Sequence, residues 1–426
     1  MDGTIGIHTQ REVQVLGEVP DVVITGAAMT TALATNGEDT WSALVGGRSG
    51  IRALSGPYFE ELDLPVRIGG QLLEDFDSEL SRVELRRLSY LQKMAVVLGR
   101  RAWLDCGAPE MDPTRLAVSV GAGFGNGEEM ILSYIGMRDR GMKAISPLAV
   151  QMFMPNGPAA AIGLDRAARA GVTAPLMADA SGAGAIAQAF QQIVFGDADV
   201  VICGAVESPI EGVPIAAYSQ IDGVMSADND DPAGACRPFD RDRTGMVLGE
   251  GGALLIMETE AHAKARGARI LGRVLGAATT SDGFDAMVSD PDAEQEAHAL
   301  TRAIELAGLA PTDIDLVIAS AAGTVDGDLV EAAALQKALC GHRPAVYAPK
   351  AALGNTFGAA GAIESVLALF ALRDGIVPPT LNLSHLDGRV ELDVVTGEPR
   401  RSDYRYAVND TFAFGGHNVV LVFGKY

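Results

Sequence analysis

The feature that most constrains this chain is a unit that occurs twice. From Ala174 to Gly204 it reads as a strand, a sharp turn of small residues, the helix SGAGAIAQAFQQIVFG and the strand ADVVICGA. A looser echo begins at Ala345, AVYAPKAALGNTFGAAGAIESVLALFAL. Short apolar runs such as DVVITGAA, RLAVSVGAG, IDLVIASA and YRYAVNDTF, each ending in small or small polar residues, alternate with Ala-rich stretches of helical character. That alternation predicts an α/β architecture with buried strands. The plan divides near Glu258 into an N-terminal half, 21–258, and a C-terminal half, 259–426, behind an N-terminal extension, 1–20. No Ser- or Pro-rich linker separates the halves, so they form one body. Two segments are expected to be loose, the first twenty residues and the charged, Gly- and Pro-containing SADNDDPAGACRPFDRDRTG.

A chain of 426 residues, 48% of them hydrophobic, can bury a large core. No run of 18 apolar residues occurs and the first residues lack the order of a signal peptide, which predicts a soluble, cytoplasmic protein. Cys106, Cys203, Cys236 and Cys340 show no CxxC spacing, so neither a disulfide framework nor a metal site is expected. The balance of 33 Lys+Arg against 55 Asp+Glu, a net charge of −22, opposes nucleic acid and anionic membrane, and would repel an acidic carrier protein at long range. GAGFGNG, from Gly121, lacks phosphate-loop spacing and is followed by Glu128 and Glu129, so no nucleotide cofactor is expected.

RPFDRDRTGMVLGEGG (from Arg237), HAKARGA (from His262), YAPKAALGNTFGAAGAIES (from Tyr347), PPTLN (from Pro378) and NDTFAFGGHN (from Asn409) are each weak signals. In this order they resemble the β-ketoacyl synthases, from about Asp21 to the C-terminus. The resemblance implies a duplicated five-layered α-β-α-β-α thiolase fold, usually dimeric. It also implies a Cys-His-His site. Acyl transfer needs a thiolate favoured by a helix N-terminus, and decarboxylation of a malonyl thioester needs donors facing the developing enolate oxygen.

This chain departs from that pattern three times. Asp179 stands at the family's cysteine, Ser320 at its first histidine and Asn355 at its second. The six histidines lie elsewhere in the motif order. Asp is a good helix N-cap and a poor acyl-transfer nucleophile, so a capping role is expected for Asp179 and no covalent acyl intermediate. Ser320 and Asn355 can still donate hydrogen bonds, but structural or tunnel-lining roles are expected of them. Lys350 and Glu364 match the family's retained lysine and glutamate, and Phe414 its gating phenylalanine. An ion pair between Asp179 and Lys350 would fill the place of the nucleophile, with Lys350 supporting the loop as the alternative. Met152, Phe153 and Met154 suit a subunit interface. Gly123, Asn126 and Met130 align with residues that size the tunnel in chain-length factors.

These departures point to a non-catalytic chain-length factor without independent activity. It would form a heterodimer with an active ketosynthase subunit, complete the tunnel, and leave docking of the acyl carrier protein mainly to that subunit. Asp179, where aromatic-pathway factors carry Gln, favours a reduced or polyene product. A malonyl-carrier decarboxylase and a homodimeric acyl-binding scaffold are the alternatives.

Overall fold

The computed structural model describes residues 20–56, 59 and 61–426, so residues 1–19 of the expected N-terminal extension lie outside the described residues. Eleven strands form one sheet: β1 (Val22–Thr31), β2 (Leu116–Gly121), β3 (Gly171–Thr173), β4 (Val200–Glu207), β5 (Gly251–Thr259), β6 (Gly272–Ser281), β7 (Leu316–Ile318), β8 (Ala345–Tyr347), β9 (Asp393–Val394), β10 (Tyr406–Ala413) and β11 (His417–Gly424). From β1 outward the order is β1, β5, β4, β2, β3; from β6 outward it is β6, β11, β10, β7, β8, with β9 added at the edge. The two halves repeat one another in direction as well. In each, the outer strands pair in parallel and the inner ones antiparallel. β1 and β6 pair antiparallel and join the halves.

Helices α1 (Tyr90–Asp105), α2 (Gly127–Arg140), α3 (Ser181–Val194), α4 (Glu294–Leu306), α5 (Val325–Ala338) and α6 (Ala360–Asp374) complete the layers. α1 covers the N-terminal half of the sheet on its outer face, and α4 and α5 cover the C-terminal half. Between the two halves α3 packs on α6, giving the five-layered thiolase fold. Residues 360–372 of α6 are all buried, as a helix clad on every side by its own protein requires. Small residues set the helix spacing: a Cβ on Gly361 would stand 2.7 Å from that of Ala183. Those two helices carry the chain to the site at their N-termini.

The charged segment around Arg237 differs from expectation, because it is packed rather than loose. Cys236 and Phe239 are buried, Arg243 bonds Asp387 at 3.0 Å, and Asp240 accepts from the N–H groups of Ser384 and His385 at 2.8 and 2.9 Å. Asp240 and Arg243 face partners within the protein, which a composition rule does not anticipate, while Asp228, Asp230, Asp231, Arg241 and Asp242 stay exposed. No helix among the described residues is long and apolar enough to cross a membrane.

Candidate active site

Ala178 takes a left-handed backbone conformation (φ 48°) and turns the chain sharply before α3. Such a residue without glycine's freedom is strained, and the strain sits where the family places its nucleophile. The turn also removes Asp179 from the capping position. The Ser181 hydroxyl accepts from the Met177 N–H at 2.9 Å and donates to the Ala178 carbonyl at 2.7 Å, while Asp179 makes no cap. The expectation of an N-cap aspartate is therefore corrected.

Asp179 instead meets Asn355. The Asn355 backbone is held by Val247 and Gly249, its N–H donating to the Val247 carbonyl at 2.7 Å and its carbonyl accepting from the Gly249 N–H at 2.8 Å. From this fixed base its Nδ2 donates to Asp179 Oδ1 at 2.7 Å and lies 3.4 Å from Met246 Sδ, while its Oδ1 accepts from the Phe357 N–H at 3.1 Å. Asp179 Oδ2 is buried with no hydrogen-bond partner. Burial drives the Asp179 carboxyl above its ordinary range, against the opposing pull of Asn355 and of the Lys350 charge.

The expected Asp179–Lys350 ion pair is absent. Lys350 Nζ bonds Glu364 Oε1 at 2.6 Å, both groups fully buried. Burial pulls the lysine's pKa down, and the Glu364 charge beside it more than reverses that. A carboxylate one helical turn into α6 outcompetes one that an amide already holds.

Ser320 stands apart from these groups. Its hydroxyl accepts from the Phe412 N–H at 3.1 Å, and its own N–H is shared by Glu331 Oε1 at 2.8 Å and Asp410 Oδ1 at 2.9 Å. Burial pushes Glu331 well up and Asp410 to about 7, each raised further by nearby acids. This buried acid pair was missed in the sequence, although Asp410 sits within the quoted NDTF.

A cavity of about 420 Å³ opens between Ile221, Asp222, Val288 and Asp326 and ends on Asp179, Met246, Asn355 and Phe414. Gly123, Asn126 and Met130 do not line it. Gly123 is pressed against Glu207 and the backbone of Gly358, Asn126 Nδ2 donates to the Met152 carbonyl at 3.1 Å, and Met130 is exposed on α2. Met154 is exposed near the same surface and Met152 and Phe153 are half-buried. Among the described residues no cluster of His, Cys, Asp and Glu is placed to hold a metal ion.

Chemically, the end of this cavity offers a carboxyl with one free oxygen, held by an amide. It offers no thiol, since Cys203 lies inside β4 and Cys236 bonds the Ala322 carbonyl.

Comparison with known proteins places this geometry. Residues 20–263 match the β-ketoacyl synthase N-terminal domain and residues 271–384 its C-terminal domain. The 3-oxoacyl-[acyl-carrier-protein] synthase 2 of Mycobacterium tuberculosis is 62% identical over 407 residues, 96% of this chain and 98% of that one. The protein of that name from Synechocystis is 33% identical over 411 residues, 95% and 98% of the two chains. Among solved structures, a β-ketoacyl synthase from Burkholderia phymatum is 29% identical with a TM-score of 0.88, covering 96% of this chain and 100% of that one. The ishigamide ketosynthase/chain length factor is 26% identical with a TM-score of 0.88, covering 96% and 99%. The near full-length identity to 3-oxoacyl-carrier synthases overturns the expectation of a non-catalytic chain-length factor without activity of its own, and the heterodimer inferred with it. The three substitutions are local, and the remaining chain groups with the 3-oxoacyl-[acyl-carrier-protein] synthases. By its two domains, its duplicated sheet and these relatives, the chain belongs to the β-ketoacyl synthase family.

Proposed function

We propose that this protein acts on acyl groups carried by acyl carrier protein in fatty-acid elongation, in the reaction class of the 3-oxoacyl-[acyl-carrier-protein] synthases. The observation that carries the reading is identity of 62% across 96% of the chain to proteins of that name, joined to a cavity that still ends where the family's chemistry takes place.

Asp179 changes the route. A carboxylate attacking a thioester would give a mixed anhydride, more activated than the thioester it replaces, so capture at Asp179 runs uphill. The acyl group therefore stays on its carrier. Loss of carbon dioxide from the malonyl thioester leaves an enolate, whose carbon attacks the acyl thioester carbonyl; the carrier thiolate leaves and takes up a proton. Burial drives the Asp179 carboxyl upward and so favours the acid form, with its proton on the oxygen that has no other partner at the cavity end. That proton bonds the thioester carbonyl and then passes to the departing sulfur, and the carboxylate left on Asp179 takes up a proton from water to complete the cycle. Asn355 orients the carboxyl through the 2.7 Å bond.

The test is intact-mass analysis after the purified chain is mixed with acyl- and malonyl-carrier. The expected result is 3-oxoacyl-carrier, formed slowly, with no acyl adduct on the protein. Asp179→Asn should keep acyl-carrier binding and lose turnover. Absence of product from the unaltered chain, or undiminished turnover by the variant, would remove Asp179 from this role.

A further inference from the structure

Four aromatic rings are stacked behind the inner end of the cavity. Phe414 lines the cavity and stacks on Tyr218 at 5.5 Å between ring centroids and on Phe357 at 6.0 Å. Phe357 in turn meets Phe124 at 4.6 Å and Tyr218 at 5.6 Å. Phe124, Tyr218 and Phe357 do not line the cavity, because Phe414 ends it.

Phe357 is the fixed member of the group. It is 1% exposed, and its backbone sits in the left-handed region (φ 45°), where a bulky residue is disfavoured. Its N–H is bonded to Asn355 Oδ1, so the amide that holds Asp179 also holds this ring. The loops carrying Phe124 and Phe357 touch through glycines. A Cβ on Gly358 would lie 2.3 Å from the Gly123 nitrogen, so only this pairing lets the two rings meet at their observed distance. Phe414, by contrast, is followed by Gly415 and Gly416 at φ 80° and 71°, which leave its loop free to turn.

We propose that Phe357 closes the acyl side of the site and limits this protein to short acyl groups, even when Phe414 swings aside. The inference rests on the acyl-thioester reading and deepens it. An apolar channel open behind Asp179 would reward each added methylene by about 0.8 kcal/mol, roughly fourfold in affinity. A channel filled by a ring held from both sides gives no such gain and, past the available length, a penalty.

The experiment measures binding of S-acetyl-, S-butyryl-, S-octanoyl- and S-palmitoyl-pantetheine by calorimetry to the full chain, to Phe357→Gly and to Phe357→Leu. Glycine fits the left-handed backbone and removes the ring; leucine keeps most of the volume should the glycine variant fail to fold, and near-UV circular dichroism checks both. Expected are binding of the two short probes to the unaltered chain, and octanoyl binding at least about tenfold weaker than butyryl. In Phe357→Gly the octanoyl affinity should rise about tenfold or more, and in Phe357→Leu, which opens less space, by about two- to threefold, while that for acetyl stays level in both. An unaltered chain that binds octanoyl as tightly as butyryl, or folded variants that keep the original length profile, would overturn the closed channel and leave the thioester reading intact. Failure of every probe to bind would overturn that reading and the inference with it.

Discussion

Two carboxyl groups at the centre of this protein meet opposite fates. Glu364 is paired with the Lys350 ammonium at 2.6 Å, whereas Asp179 is held by the amide of Asn355 at 2.7 Å; each keeps one oxygen without a hydrogen-bond partner. Both are buried, so the difference lies in the partner. An ammonium group cancels a charge and locks a geometry; an amide binds a carboxyl without supplying a counter-charge. The first arrangement is structural. The second stands at the end of the cavity, which Asp179 lines and Glu364 does not.

The largest effect expected from breaking this contrast is at the ion pair. Lys350→Met should cost about 3–5 kcal/mol of stability in urea denaturation, because it strands Glu364 in the core. A loss below about 1 kcal/mol would show that Glu364 is as comfortable neutral as Asp179, and the contrast would vanish. Asn355→Leu should cost less, about 1–3 kcal/mol, for the buried oxygen and the Phe357 N–H it leaves unmet. Equal losses in the two variants would again erase the distinction.

A pH series sharpens the comparison further. The Asp179 pKa is raised in the folded protein, so between the ordinary aspartate range and that raised value the unfolded chain has lost a proton the native one keeps. Stability of the unaltered protein relative to Asp179→Asn should therefore fall as pH rises through this window, with a slope of up to about 1.4 kcal/mol per pH unit, and be level below it. A difference that does not change with pH would mean Asp179 is ionised throughout. The smallest effect belongs to the surface: Arg343→Ala, which breaks an exposed pair with Glu391 at 2.9 Å, should change stability by no more than about 1 kcal/mol, and less in added salt.

The strands were the most legible part of the sequence. DVVITGAA, RLAVSVGAG, ADVVICGA, IDLVIASA and YRYAVNDTF cover all or most of β1, β2, β4, β7 and β10, since a fully buried strand must be an unbroken apolar run. β3, with three residues, and β9, with two, take their structure from pairing with distant strands and leave no local pattern. At the site, the motif order located Asp179, Asn355, Lys350, Glu364 and Phe414, and the structure brings all five into one region. It did not reveal which carboxyl Lys350 would choose, because a capping or pairing role depends on where a side chain points after the turn at Ala178. Ser320 was placed correctly in the motif, but its hydroxyl is spent on Phe412. Phe357 escaped notice since an aromatic beside a glycine reads as ordinary packing; only its positive φ and the rings around it distinguish it. Three substituted positions say little about activity beside some four hundred others that match the 3-oxoacyl-[acyl-carrier-protein] synthases over 96% of the chain.

The distribution of cysteines, noted above only for what it excludes, has a practical side. Cys106, Cys203 and Cys236 are buried and Cys340 alone is exposed, on the turn after α5 and away from the cavity lining. Alkylating reagents should modify one position and spare the site, so agents that inactivate an enzyme by trapping its catalytic thiol have nothing to react with here. The same position accepts a single fluorophore without mutagenesis.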